Sequence, residues 1–90
     1  MNAQHEFKLI DGRFSVSEAE RLLLELAQAK INHHFRRMTE SAHSEEDIKA
    51  IEKRIRAIET NVRAVISHLK TLDPAQRVDI EGLVTVQPVE

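Results

Sequence analysis

The strongest pattern in the chain is the spacing of apolar residues in its second half. Between residues 48 and 72 they recur in alternating steps of three and four. The positions are Ile48, Ile51, Ile55, Ile58, Val62, Val65, Leu69 and Leu72. This heptad spacing predicts an amphipathic helix with one continuous apolar stripe, which we call the seam. β-branched residues fill most of the seam, which favours bundles of three or four helices.

Two signals delimit this second helix. Ser44 is a good N-cap, and three acidic residues follow it, where the positive end of the helix dipole lies. Pro74 disfavours helical geometry at Asp73. The helix should therefore run over about residues 45–72.

A first helix is predicted over about residues 16–41. No Gly or Pro occurs between residues 13 and 73, and such a stretch is typical of helix. Ser15 and Glu18 have the spacing of a capping box, and Ser17 with Glu20 offers a second register.

The two helices should be separate and antiparallel. If the seam is continued backwards in the same steps, it meets only polar residues between positions 30 and 44. The first helix has its own inward stripe of Leu24, Ala27, Ile31, Phe35, Met38 and Ala42. One straight helix cannot bury both stripes, so the chain should turn near residues 40–44 and form a helical hairpin.

The flanks of the hairpin have the composition of strands. Residues 5–10 and 78–86 are short, rich in apolar and β-branched side chains, and next to Asp or Gly. A hairpin brings both flanks to the same end, where they can pair with each other or with the flanks of a partner. The alternatives are that residues 76–90 form a loose tail, or that they add a strand to another protein's sheet.

The first helix is apolar over more than half its circumference near its start. Leu22, Leu23 and Leu26 form a second apolar face there, which one facing helix cannot cover. We therefore expect residues 1–90 to form one mainly α domain that dimerises into a four-helix bundle through these leucines and the seam from Ile48 to Leu69. The alternative is a monomer whose own flanks cover this face.

Composition narrows the possible partners. The 90 residues have a formal net charge of −2 and include no cysteine, which excludes disulfides and thiolate zinc sites. Near-balanced charge provides no general attraction to nucleic acid or anionic membrane. No apolar run approaches the roughly 20 residues of a membrane span. We expect a cytoplasmic protein without a cofactor.

The adjacent histidines, His33 and His34, do not have the spacing of a metal site. They diverge by about 100° around a helix, whereas helical metal ligands lie about one turn apart. We expect His34 to lie at the edge of the helix interface and His33 to be solvated. The chain also has no nucleophile elbow, phosphate loop or dinucleotide fingerprint. We expect no metal, no small-molecule substrate and no catalysis. The distant alternative is an enzyme that uses His34 as a base at a dimer interface.

Basic residues form two rows along the helices. Lys30, His33, His34 and Arg37 follow the i, i+3, i+4, i+7 spacing of one helix face, and Lys49, Lys53 and Arg56 form a row on the second helix. This pattern suggests a surface for an acidic partner or a phosphate backbone. The alternative is that these side chains are solvated or pair with nearby acids, as Arg36 and Glu40 can.

These features favour a small self-associating protein that acts by protein–protein contact as an adaptor, regulator or assembly subunit. A nucleic-acid-associated module using the basic rows is the second interpretation, although nucleic acid is the less expected partner. The identity of a protein partner is not encoded in any motif.

Overall fold

Two long helices flanked by two strands make up the fold. The computed structural model describes residues 4–41 and 44–89. Its elements are β1 (His5–Ser15), α1 (Val16–Ser41), α2 (Glu45–Lys70) and β2 (Arg77–Val86). The helices form the predicted hairpin. We call the end near residues 41–45 the tip and the end that carries the strands the base.

Side-chain caps set both helix starts. The Ser15 hydroxyl accepts a hydrogen bond from the Glu18 amide at 3.1 Å, and the Glu18 carboxylate accepts one from the Ser15 amide at 3.1 Å. This confirms the capping box in the Ser15 register. The Ser44 hydroxyl accepts from the Asp47 amide at 3.1 Å, so the predicted N-cap of α2 is also confirmed.

Helix α2 ends two residues before the predicted position 72. The Thr71 amide donates to the His68 carbonyl at 3.0 Å, and the Leu72 amide donates to the Leu69 carbonyl at 3.1 Å. Such i to i−3 bonds tighten the last turn of a helix. Leu72 still packs against the core, although it lies outside the helix.

The two flanks pair with each other as an antiparallel ribbon. The pairing runs from Ser15 opposite Arg77 to His5 opposite Val86. The first strand is therefore longer than the predicted 5–10, because the Asp-Gly pair at 11–12 continues the strand instead of turning the chain. The loose-tail alternative for residues 76–90 is wrong for 77–86, since that segment is the second strand.

A β-bulge at Leu9 sorts the ribbon into an apolar and a charged face. Lys8 lies opposite Leu83 and Ile10 lies opposite Gly82, so Leu9 has no partner. Because side chains alternate between faces, the extra residue places Phe7 on the same face as Ile10. This apolar face carries Phe7, Ile10, Phe14, Val78, Ile80, Val84 and Val86.

The opposite face of the ribbon is charged. Arg13 Nε lies 2.8 Å from Asp79 Oδ1, and Lys8 Nζ lies 3.5 Å from Glu81 Oε1. The Arg13 guanidinium hydrogen-bonds Asp79 and lowers the pKa of that carboxyl. Leu83 is the exception, since it lies opposite Lys8 on this face and is exposed. Alternation of this kind is typical of a sheet with one face against a core and one in water.

The core is small and lies at the base. Val16, Ala19 and Leu69 form the buried cluster. Partly buried residues from both helices and the ribbon surround it: Phe14, Leu23, Ile66, Leu72, Val78 and Ile80. Nearer the tip, Ile55 is the buried seam residue.

Part of the predicted inward stripe of α1 is wrong. Leu24 is 45% exposed and Phe35 is 50% exposed, while Ala27, Ile31 and Met38 are half-buried. Ala42 lies outside the described residues. The covered part of α1 is a different stripe, which carries Val16, Leu23 and His34. Leu24 and Phe35 lie beside this stripe and stay exposed.

Candidate functional site

The leucine-rich face of α1 is only partly covered within one chain. Leu23 packs against the buried cluster. Leu22 and Leu26 are half-buried and do not belong to that cluster. These two leucines therefore keep part of their apolar surface exposed.

The ribbon also leaves apolar surface exposed. Its end near the helices, at Phe14, Val78 and Ile80, packs against the core. At its far end, Phe7 is 51% exposed and Val86 is 56% exposed, although both lie on the same apolar face. An exposed apolar face of this kind is characteristic of an interaction surface.

The seam is largely covered by the hairpin itself. Ile55 and Leu69 are buried, and Ile48, Ile51, Ile58 and Val62 are half-buried. Val65 is the exposed member of the proposed self-association set on α2. Most of the seam thus serves contacts within the chain, and Val65 is its most available residue for a partner.

His34 lies inside the hairpin rather than on its surface. It is 8% exposed, whereas its neighbour His33 is exposed and their ring centroids are 5.8 Å apart. Burial lowers the pKa of His34, and the nearby positive groups, among them His33, Lys30 and Arg54, lower it further. Its imidazole is therefore neutral at pH 7.

A cavity of about 280 Å³, half open to solvent, lies between the helices near the tip. Its lining comprises His34, Arg37, Ser41, Asp47, Ala50, Ile51 and Arg54. Within residues 4–41 and 44–89, neither Arg37 nor Arg54 forms an ion pair. The cavity thus has two guanidinium groups available to an anion, and the Asp47 carboxylate offsets part of their charge.

Arg54 is the basic residue of this cavity that the sequence pattern did not single out. It immediately precedes the seam residue Ile55, and it lines the cavity although it is exposed. Its position in the sequence next to a seam residue was the signal from which it could have been identified. Lys49, Lys53 and Arg56 are exposed and do not line this cavity. The structure brings Arg37 and His34 together with Arg54, not with that row.

No group of three or more His, Asp or Glu side chains is arranged to hold a metal ion within the described ranges. Among those same residues, neither helix combines the length and the apolar character needed to cross a bilayer.

Comparison with known proteins provides no relative from which a role can be transferred. No protein-family model, curated protein or solved structure matches this chain.

Proposed function

We propose that this protein is a homodimer that acts by protein–protein contact, as an adaptor, regulator or assembly subunit. The observation that carries the proposal is the large surface that one chain leaves exposed. A non-catalytic role and a cytoplasmic location are parts of the same proposal.

The exposed area is too large for a compact chain of this size. One chain of 10.3 kDa has an accessible surface of 7435 Å². A folded monomer of that mass is expected to expose about 5,400 Å². The excess of about 2,000 Å² per chain is of the size that obligate dimers bury, since their interfaces cover about 2,000–5,000 Å² in total.

The shape of the chain supports the same proposal. Its radius of gyration is 16.3 Å, and its extents are 48 × 37 × 15 Å. A compact domain of this length would have a radius of about 12 Å. Among residues 4–41 and 44–89 the buried apolar residues are Val16, Ala19, Ile55 and Leu69, so this flat molecule has little core of its own there. Packing a second copy against it would supply the missing burial.

The test is the oligomeric state of two matched variants. Leu22 and Leu24 are two residues apart on α1, and about 200° of helical rotation separates them. We expect the wild-type chain to sediment as a dimer at micromolar concentration and Leu22→Asp to sediment as a monomer. Leu24→Asp, a control for a charged group at a half-exposed leucine position, should remain dimeric.

Circular dichroism of both variants separates loss of association from loss of fold. A monomeric wild-type chain would contradict the proposal. A Leu22→Asp variant that remains helical and dimeric would place the interface on another face.

The second candidate function is binding of an anionic polymer at the tip cavity. The observation in its favour is the pair of available guanidinium groups, Arg37 and Arg54. Fluorescence anisotropy with labelled duplex and single-stranded nucleic acid tests it. Binding that weakens steeply as salt is added would support this function over the first, provided that the double variant Arg37→Gln with Arg54→Gln abolishes it. The control variant Lys49→Gln should leave the binding intact.

A further inference from the structure

One ridge of α1 is complementary to itself when it is reversed. Glu18, Leu22, Leu26 and Lys30 follow each other at intervals of four residues, so they lie along a single ridge. The two leucines are half-buried in the middle, and the oppositely charged residues are exposed at the ends. Reading the ridge backwards exchanges Glu18 with Lys30 and Leu22 with Leu26.

We propose that two copies of this chain pack through this ridge with their α1 helices antiparallel, about a two-fold axis near residue 24. This inference rests on the proposed dimer and defines its orientation. In an antiparallel pair, a residue that lies before the axis faces the partner residue that lies equally far after the axis. Leu22 then lies against the partner's Leu26, and Glu18 lies against the partner's Lys30.

The charges of the whole helix favour the same orientation. Residues 16–29 carry three acidic and one basic side chain, while residues 30–41 carry three basic and one acidic side chain. The first half of α1 is therefore net −2 and the second half net +2. A parallel pair would set each half against a half of the same sign, which costs free energy.

The N-terminal cap prepares Glu18 for this contact. Its Oε1 atom accepts the Ser15 amide at 3.1 Å. That bond and the Ser15 hydroxyl bond lower the pKa of Glu18, so the carboxylate is charged at neutral pH. The capping box holds the side chain at the start of the ridge, and a carboxylate has further lone pairs with which to accept a partner's ammonium group.

A spin-label distance tests the orientation directly. The chain has no cysteine, so Thr39→Cys at the tip provides one labelling site per chain. The label lies 15 residues from the proposed axis, so the antiparallel dimer should give a separation of about 40–45 Å by electron–electron double resonance. A parallel dimer would give about 10–20 Å.

Charge variants test the ridge itself. Lys30→Glu should raise the dimer Kd about tenfold at low salt, because Glu18 then faces a carboxylate, and this contact occurs twice in each dimer. Adding Glu18→Gln, which retains a capping residue, should tighten the dimer of the Lys30→Glu variant and weaken that of the wild type. Lys49→Glu is the matched control on α2 and should change Kd less than about twofold.

The outcomes distinguish the two proposals. A dimer with a long label separation and the reversed effect of Glu18→Gln supports the antiparallel ridge. A dimer with a short separation, or one indifferent to Lys30→Glu, overturns the orientation and leaves the proposed dimer intact. A chain that is monomeric at all accessible concentrations overturns both.

Discussion

Leu69→Ala tests whether the cluster at the base is the main core of the chain. Leu69 is 5% exposed and belongs to the buried cluster against which residues from both helices and the ribbon pack. The substitution removes three carbons from a buried site, which corresponds to about 2.4 kcal/mol of transfer free energy. The remaining cavity adds to this loss, so the expected change in unfolding free energy is about 3 kcal/mol. A domain of this size has a total of about 5–13 kcal/mol.

Urea denaturation followed by circular dichroism measures this loss. At an m-value of about 1.5 kcal/mol per molar, the midpoint should fall by about 2 M. Leu24→Ala is the matched control, since the same side chain is removed from the same fold at a half-exposed site. Its cost should be about 1 kcal/mol, because a half-exposed group loses less transfer free energy and leaves no enclosed cavity.

Both variants must be compared at one protein concentration, because self-association adds to apparent stability. If Leu69→Ala costs no more than Leu24→Ala, the cluster around Leu69 does not hold the base together. The assignment of the core would then be wrong.

Two further predictions concern His34 and Gly82. Because the pKa of His34 lies below 6.5 in the folded chain, the unfolded chain binds more protons in that window, and the free energy of unfolding should fall as the pH drops below about 6.5. Urea titrations between pH 7.5 and 5 should show a shallower loss in His34→Gln than in the matched variant His33→Gln, and equal slopes would contradict this assignment. Gly82 has no positive φ, and a Cβ there would lie 3.6 Å from Ile10 Cδ1, an ordinary contact. Gly82→Ala should therefore raise the free energy of unfolding by about 0.5–1 kcal/mol in the same assay. A lower urea midpoint would show that the ribbon has no room for a methyl group beside Ile10.

Local signals predicted the helices well. The Ser15 capping box and the Ser44 N-cap are formed by side chains within three residues of their partners, so their bonds depend on sequence neighbours. The heptad spacing likewise identified Ile55 and Leu69 as inward residues, and both are buried. The predicted end of α2 was less accurate, because Pro74 limits the helix without specifying its last residue.

The ribbon and the inward face of α1 depended on distant contacts. The Asp11-Gly12 pair is a turn signal locally, yet pairing with β2 keeps it extended, opposite Glu81 and Ile80. No local pattern shows that β1 needs a bulge at Leu9, since the bulge is defined only relative to its partner strand.

His34 and Arg54 illustrate the same limit at the candidate site. The spacing of His34 placed it with Lys30 and Arg37 on a cationic face, but the packing of α2 buries it. Arg54 reaches the cavity from the other helix, so its proximity to Arg37 follows from the register between the helices. That register depends on how side chains interdigitate, which periodicity does not specify.

The sequence by itself determined the two helices and their N-terminal caps, because these features arise from interactions over a few residues. It also contains the Glu18–Lys30 ridge, whose order of charges is readable without coordinates. Only the tertiary structure decided which part of the wide apolar arc of α1 is covered, how the two flanks pair, and that Leu22 and Leu26 stay half-buried while Phe7 and Val86 at the far end of the ribbon are exposed. The physical reason is that burial is a property of the whole packed chain, whereas helix formation and capping are local.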